Sequence, residues 1–325
     1  MNRLNKCDLC GSGKLKFLHL LENCNERHNG KLFGLYQCIN CGLMFVNPQP
    51  RSLKEIIRFH PQSIYYHKIG EIPKGRSKEY EKFMEKLFYF YIKHPFSRNF
   101  FYLLFPYVRR IKIIPNGKYL DVGCGGGQFL YQIKKVNPSG EYYGIEPGNF
   151  DEEDVKKHKL KVFKGTLEDA HYPDNYFDVI TIHSVFEHVY NPSETMRELR
   201  KVLKTNGTII ISVPNGNSLA LKLFGKYSSQ LGISHLFTYS DTTLKKYAEK
   251  FNFKIEKVKY GSPLNDAGSF IMSCRIKFGM TRKRRSIPFV IIVFFSAIFF
   301  ILFFLPILLL NILKFSDSIE IWLKK

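Results

Sequence analysis

The stretch Lys118-Tyr-Leu-Asp-Val-Gly-Cys-Gly-Gly-Gly-Gln-Phe-Leu130 constrains the fold of this chain more than any other part of it. A β-prone run reaches Asp121, glycines follow at positions 123, 125 and 127, and an amphipathic run begins at Gln128. A backbone turns that tightly where side chains are missing, and the turn leaves bare N–H groups at a helix start for a ligand to approach. That is the first crossover of a doubly wound, nucleotide-binding α/β fold. The sequence beyond it keeps the alternation. Strands are predicted at Lys118–Val122, Glu141–Ile145, Lys161–Phe163, Phe177–His183, Thr208–Val213 and Phe253–Tyr260, with helices at Gln128–Val136 and Pro192–Leu203. Such an order builds βαβ units on a parallel sheet.

Acids fall where a nucleoside would need them. Asp121, at the end of the first strand, can accept from a ligand's ammonium group or order the loop. Glu146 ends the second strand roughly twenty residues on, where a carboxylate takes both ribose hydroxyls. Leu167 and Glu168 follow the third strand and would flank an adenine ring. A nicotinamide dinucleotide fits less well, because its phosphate grip favours G-x-G-x-x-G and position 128 is Gln.

The ordered motifs D-V-G-C-G-G-G, G-I-E-P, G-T-L-E-D, F-D-V-I, E-H-V-x-x-P and L-K-T-N-G-T-I-I-I-S-V-P-N run from Lys118 to Asn215. This series resembles the class I S-adenosylmethionine-dependent methyltransferases, in the small-molecule branch that includes the ubiquinone-biosynthesis O-methyltransferases. The resemblance implies a Rossmann-like sheet of seven strands and S-adenosyl-L-methionine as cofactor. It also implies that Gly123 and Gly125 pack under the methionine moiety while Asp121 orders their loop. Glu146 would bind the ribose, Leu167 and Glu168 would line the adenine, and His183 would sit near the sulfonium.

Methyl transfer is an in-line displacement in which the protein chiefly aligns the reactants. A hydroxyl acceptor gains from a general base, for which His suits neutral pH. His235, in Ser234-His-Leu-Phe-Thr-Tyr-Ser240, and His188, directly after Glu187, are the candidates. In related enzymes the segment holding His235 borders the acceptor pocket. The ubiquinone O-methyltransferases carry a Glu-x-x-Glu-His group at the position of His188 that resembles a divalent-metal site. Here Ser184 stands for the first Glu, one hard oxygen ligand is lost, and no Mg²⁺ site is expected.

Cys7-x-x-Cys10 and Cys38-x-x-Cys41 flank a loop of 27 residues. Two such turns can present four sulfurs to one tetrahedral ion, so a closed structural zinc site is expected in residues 1–50. Tyr36 to Pro50 also resembles the N-terminal ribbon often joined to such methyltransferases. The formal net charge of +21 calls for an anionic partner. Interleaved bases on a recognition helix are absent, which argues against nucleic acid and leaves an anionic membrane surface.

The run from Ile287 to Leu313 holds 27 residues without a charge and follows Arg282-Lys-Arg-Arg285. A bilayer needs about 20 apolar residues per span, and basic flanks stay on the cytoplasmic face. Ser318-Ile-Glu-Ile-Trp-Leu-Lys-Lys325 alternates like a half-buried strand. If it is the closing, antiparallel strand of the methyltransferase sheet, the apolar run is an insertion that dips into the membrane and returns. The aromatic and basic stretch 51–117, and Leu87–Arg110 within it, is expected to be helical and interfacial. The organisation reads as a zinc module (1–50), this helical segment (51–117), a methyltransferase core (118–270), a basic and apolar membrane segment (271–316) and a closing strand (317–325). The expected function is O-methylation of a small or lipid-linked acceptor, a quinone precursor or a glycan, on the cytoplasmic face of a membrane. Methylation of a soluble nucleotide sugar, or a non-catalytic adaptor that keeps the fold, are the alternatives.

Overall fold

The computed structural model describes residues 3–21, 32–50, 111–261, 263–279 and 313–325, with positions 52, 55, 56, 69, 79, 82 and 86. Strands β1 (Leu15–Leu20), β2 (Gly34–Cys38) and β3 (Met44–Asn47) form an antiparallel ladder around the four cysteines. The core follows, as β4 (Lys118–Val122), α1 (Gln128–Val136), β5 (Glu141–Ile145), α2 (Glu152–Lys157), β6 (Lys161–Phe163) and β7 (Phe177–His183). It continues through α3 (Pro192–Val202), β8 (Leu203–Pro214), α4 (Leu219–Phe224), β9 (Phe237–Thr238), α5 (Asp241–Lys250), β10 (Lys254–Tyr260), α6 (Pro263–Lys277) and β11 (Ser318–Lys324).

Among the described residues the larger sheet runs β10-β11-β8-β7-β4-β5-β6. β4, β5, β6, β7 and β8 are parallel, and β11 enters antiparallel between β8 and β10. Residues 318–324 are thus the expected closing strand, but buried on both faces rather than half-buried: Glu320 and Trp322 are buried along with Ile319, Ile321 and Leu323, because β11 lies inside the sheet between β8 and β10. Apolar residues on both faces make the central strands: Ile209, Ile210 and Ile211 of β8 are all buried, as a doubly covered parallel strand requires. The helices cover the faces by local rules. α3 opens with Pro192 in its first turn and buries Met196, Leu199 and Val202 along one stripe. α5 starts from a capping box between Ser240 and Thr243 and buries Leu244, Tyr247 and Ala248.

Several boundaries move. The helix predicted to Leu203 stops at Val202 because Leu203 already begins β8, which extends to Pro214 rather than Val213. Residue 270, where the core was expected to end, lies in the middle of α6. The helical segment expected over 51–117 and the apolar run from Ile287 lie almost entirely outside the described residues. Among the described residues no helix is long and apolar enough to cross a membrane.

The cysteine ladder is sewn to the core. β3 pairs with β9, so a strand from the middle of the core completes the four-stranded sheet β1-β2-β3-β9. Asp8 accepts from the backbone N–H and hydroxyl of Ser193 at 3.1 and 2.8 Å and from the Tyr247 hydroxyl at 2.6 Å. Lys250 Nζ donates to the Asp8 and Leu9 carbonyls at 3.0 and 2.9 Å. Residues 1–50 and the core differ in pattern yet share a sheet.

Candidate active site

The crossover after β4 has the conformation its glycines predict. Gly123, Gly125 and Gly127 have φ of 75°, 55° and 83°, and Gly127 in this left-handed state caps α1. The space beside Gly123 is taken: a Cβ there would stand 2.2 Å from Val185 Cγ2. Asp121 is buried, and its Oδ1 accepts from the Thr181 hydroxyl on β7 at 2.6 Å.

Glu146 closes the crossover. Its Oε2 accepts from the Gly125 N–H at 2.9 Å and its Oε1 from the Gly148 N–H at 2.7 Å. Burial raises its carboxyl above the ordinary range, against the two amides, which favour the charged form. Each carboxylate oxygen carries two acceptor positions, so one amide apiece leaves capacity for a pair of ligand hydroxyls. A carboxylate held by backbone beside bare glycines fits the ribose and methionine ends of S-adenosylmethionine.

The remaining predicted cofactor residues lie on the same rim in differing postures. His183 ends β7, is buried, and meets the Phe129 ring edge-to-face at 5.5 Å. The Leu167 side chain is packed in the core, and Glu168 Oε1 accepts from the Thr195 hydroxyl on α3 at 2.7 Å. Glu168 is thereby tied to α3.

The two candidate bases come together. His188 and His235, 47 positions apart in sequence, meet with ring centroids 4.8 Å apart at 69°. His188 Nδ1 lies 2.6 Å from the Ser234 carbonyl, and His235 Nδ1 lies 2.7 Å from the Gln230 carbonyl. A carbonyl only accepts, so in each neutral ring Nδ1 holds the proton and Nε2 is the basic nitrogen. Buried Glu187 completes the group, its Oε1 3.9 Å from His188 Nε2. Burial pushes its carboxyl up to about 8. Ligand atoms of Glu187, His188 and His235 lie within 4.8 Å of one another. Sequence reasoning paired the histidines as alternatives but did not join them with Glu187. The adjacent Glu-His was the available signal, and the return of residue 235 to it is a matter of topology. That return is fixed by the cysteine ladder: Val46 N–H donates to the Leu236 carbonyl at 2.9 Å, and the Tyr190 hydroxyl donates to the Pro50 carbonyl at 2.7 Å.

The four cysteines also converge. Cys7 and Cys41 sulfurs are 3.4 Å apart, Cys10 and Cys38 sulfurs 3.5 Å, and all four lie within 4.8 Å of one another. A tetrahedral zinc–thiolate shell with bonds of about 2.3 Å places sulfurs about 3.8 Å apart, so the donor set fits Zn²⁺. Burial pushes the Cys41 thiol up to about 11. At Cys38 burial acts the same way, but the Cys41 amide and the Cys10 thiol prevail and bring it down to about 7.

A family model described as a methyltransferase domain matches residues 96–258, about half of the chain. The chain belongs to the methyltransferase domain family. Within this family it is 34% identical over 111 residues to a ubiquinone biosynthesis O-methyltransferase of Proteus mirabilis, covering 32% of this chain and 44% of that protein. It is 33% identical over 115 residues to a ubiquinone/menaquinone biosynthesis C-methyltransferase of Geotalea daltonii, covering 32% of this chain and 48% of the relative. The methyltransferase chain thus spans less than half the length of these relatives. Among solved structures it is similar to an S-adenosylmethionine-dependent methyltransferase from Archaeoglobus fulgidus, with a TM-score of 0.40 and 20% identity over 76% of this chain and 99% of the other.

Proposed function

We propose that this methyltransferase uses S-adenosyl-L-methionine to methylate an oxygen of a small or lipid-linked acceptor, a quinone precursor or a glycan. The observation that carries the reading is the pair of imidazoles, His188 and His235, gathered at the same carboxyl edge of the sheet as the Gly125–Glu146 clasp. When bound, S-adenosylmethionine supplies an electrophilic methyl group. Glu146 would hold its ribose, the side-chain-free backbone of the glycine loop and Asp121 would line its methionine end, and His183 would stand in the neighbourhood of the sulfonium; the N–H groups of Gly123, Cys124, Gly125 and Gly127 already donate within the protein.

The chain's own contribution is to orient the acceptor and move a proton. Carbonyls at Ser234 and Gln230 hold both imidazoles with Nε2 as the acceptor nitrogen, so the two rings together receive and hold the hydroxyl proton as the oxygen attacks. Glu187, whose carboxyl burial pushes up to about 8, stands beside the basic nitrogen of His188 as the third member of the group. A structural zinc held by Cys7, Cys10, Cys38 and Cys41 would keep the ladder that frames the second imidazole. The 27-residue uncharged run Ile287–Leu313 would hold the protein on the cytoplasmic face of an anionic membrane, where a poorly soluble acceptor can enter.

Incubation with methyl-labelled S-adenosylmethionine and either lipid extract or a panel of nucleotide sugars tests the acceptor class. Label in the lipid fraction, lost in His188→Ala, is expected. Label confined to the water-soluble products would overturn the lipid-linked acceptor.

A further inference from the structure

Beside the Phe270 contact with the Phe224 ring of α4 at 5.0 Å, α6 turns a polar stripe toward the protein. Its inward positions Asp266, Ser269 and Ser273 follow a spacing of three and four residues, the stripe that a globular helix fills with apolar side chains. Here that stripe hydrogen-bonds the protein: Asp266 accepts from the Ser316 hydroxyl and the Asp317 N–H at 2.8 and 2.7 Å, and the Ser273 hydroxyl accepts from the Ser229 N–H at 3.0 Å. The outward side holds Ile271 at 42% exposure and Met272 at 47%, and Phe278 just beyond the helix is 70% exposed. Leu313, where the described chain resumes, is 55% exposed.

Charge and connectivity agree on what faces this side. Arg275, Lys277, Lys222 and Lys314 are exposed around it. The segments 219–230 and 263–279 contain one acid between them, Asp266, and it is buried. Both flanks of the segment 280–312, which contains almost all of the uncharged run, rest on α4. Lys277 Nζ lies 5.9 Å from the Phe224 ring, and the Phe315 carbonyl accepts from the Leu219 N–H at 2.9 Å. The chain therefore leaves and re-enters at one place. β10 is antiparallel to β11 and β11 to β8, so α4 and α6 both leave the carboxyl end of the sheet, where Glu146 and His188 stand. α6 also backs the acceptor loop: Ser269 Oγ accepts from Gln230 Nε2 at 2.7 Å, and the Gln230 carbonyl is the one that holds His235.

We infer that the outward side of α6, with Ile271, Met272 and Phe278 as its apolar contacts and Arg275 and Lys277 as its cations, lies in the headgroup layer of an anionic bilayer. An apolar stripe rimmed by bases is the pattern of an interfacial helix. The consequence is orientation: the carboxyl edge of the sheet, with the two imidazoles, is turned toward the lipid. This rests on the membrane association proposed above, which it makes specific to a surface.

The test uses the full chain in vesicles of phosphatidylglycerol and phosphatidylcholine, with and without brominated acyl chains as quenchers. Met272→Trp and Phe278→Trp report the surface. Asp174→Trp, exposed before β7 at the amino end of the sheet, is the reference, and buried Trp322 is a constant background. Emission from positions 272 and 278 is expected to fall about twofold or more below that from position 174 in brominated lipid. The contrast should shrink when phosphatidylcholine replaces phosphatidylglycerol. Equal quenching at all three positions overturns the assignment. So does blue-shifted emission without lipid that bromine leaves unchanged, which would mean that a second copy or residues 280–312 cover this side. Flotation of the wild type separates the two levels: floating protein with unquenched positions defeats the surface alone, whereas protein that does not float defeats membrane association as well.

Discussion

At the scale of residues, the site depends on small side chains that let a strand tip and a loop approach. Gly144 on β5 shows how tight this is, since a Cβ there would stand 2.4 Å from Cys124 Sγ and 3.1 Å from Val162 Cγ2. Gly144→Ala should cost about 1–3 kcal/mol through overpacking under the crossover, read as a lowered thermal midpoint; an unchanged midpoint would contradict this packing. The imidazoles make a different prediction. His188→Ala and His235→Ala should keep the fold and cofactor affinity while lowering methyl transfer about 10²- to 10⁴-fold, as loss of a general base does. A variant with wild-type turnover at saturating acceptor would remove that residue from the chemistry. Asp121 and Glu146 were legible in sequence because each ends a strand beside a glycine turn, a purely local pattern. The meeting of His188 with His235 was not, because it depends on how β9 docks on β3.

At the scale of elements, buried carboxyls at the base of α6 tie stability to pH. Burial pushes Asp317 up to about 7 and Asp266 up to about 6, with the neighbouring Asp266 adding to the shift at Asp317. Their unfolded values lie near 4, so the native state holds more protons across that interval. The sign follows: their stabilising contribution is complete below about pH 4 and is lost as pH rises through 6 and 7. Asp317→Asn should therefore gain stability relative to wild type between about pH 5 and pH 8, seen as converging or crossing unfolding curves. Parallel curves would contradict it. The cysteine ladder yields a separate expectation. The purified protein should carry one zinc per chain by mass spectrometry, and Cys38→Ser should lose it together with several degrees of thermal midpoint. Metal-free wild type with the same midpoint would contradict a structural role. The predicted strands from Lys118 to His183 match the structure because apolar runs and turns punctuate them clearly. The short β9 and the polar-faced α6 escaped, since two residues carry no periodicity and α6 inverts the usual one.

At the scale of the whole molecule, the cysteine ladder and the core share a sheet and a set of hydrogen bonds. Asp8 in the cysteine ladder is the joint, accepting from Ser193 at the head of α3 and from Tyr247 of α5. The same ladder supports the His235 segment through β3 and β9. Domain boundaries read from composition therefore mark where the amino-acid usage changes, while the hydrogen bonds run across them. The excess of bases follows the same logic: part of it gathers around α4 and α6, where an apolar run leaves the core. A charge count alone could not say which surface that would be.

Methyl transfer by this chain requires a nucleoside bound at the first crossover, and isothermal calorimetry with S-adenosylmethionine tests that binding most directly. One molecule should bind per wild-type chain. Glu146→Ala, which removes the acceptor for the ribose and the clasp on Gly125, should bind at least about tenfold more weakly. Absence of binding to the wild type, or undiminished affinity in Glu146→Ala, would contradict the account.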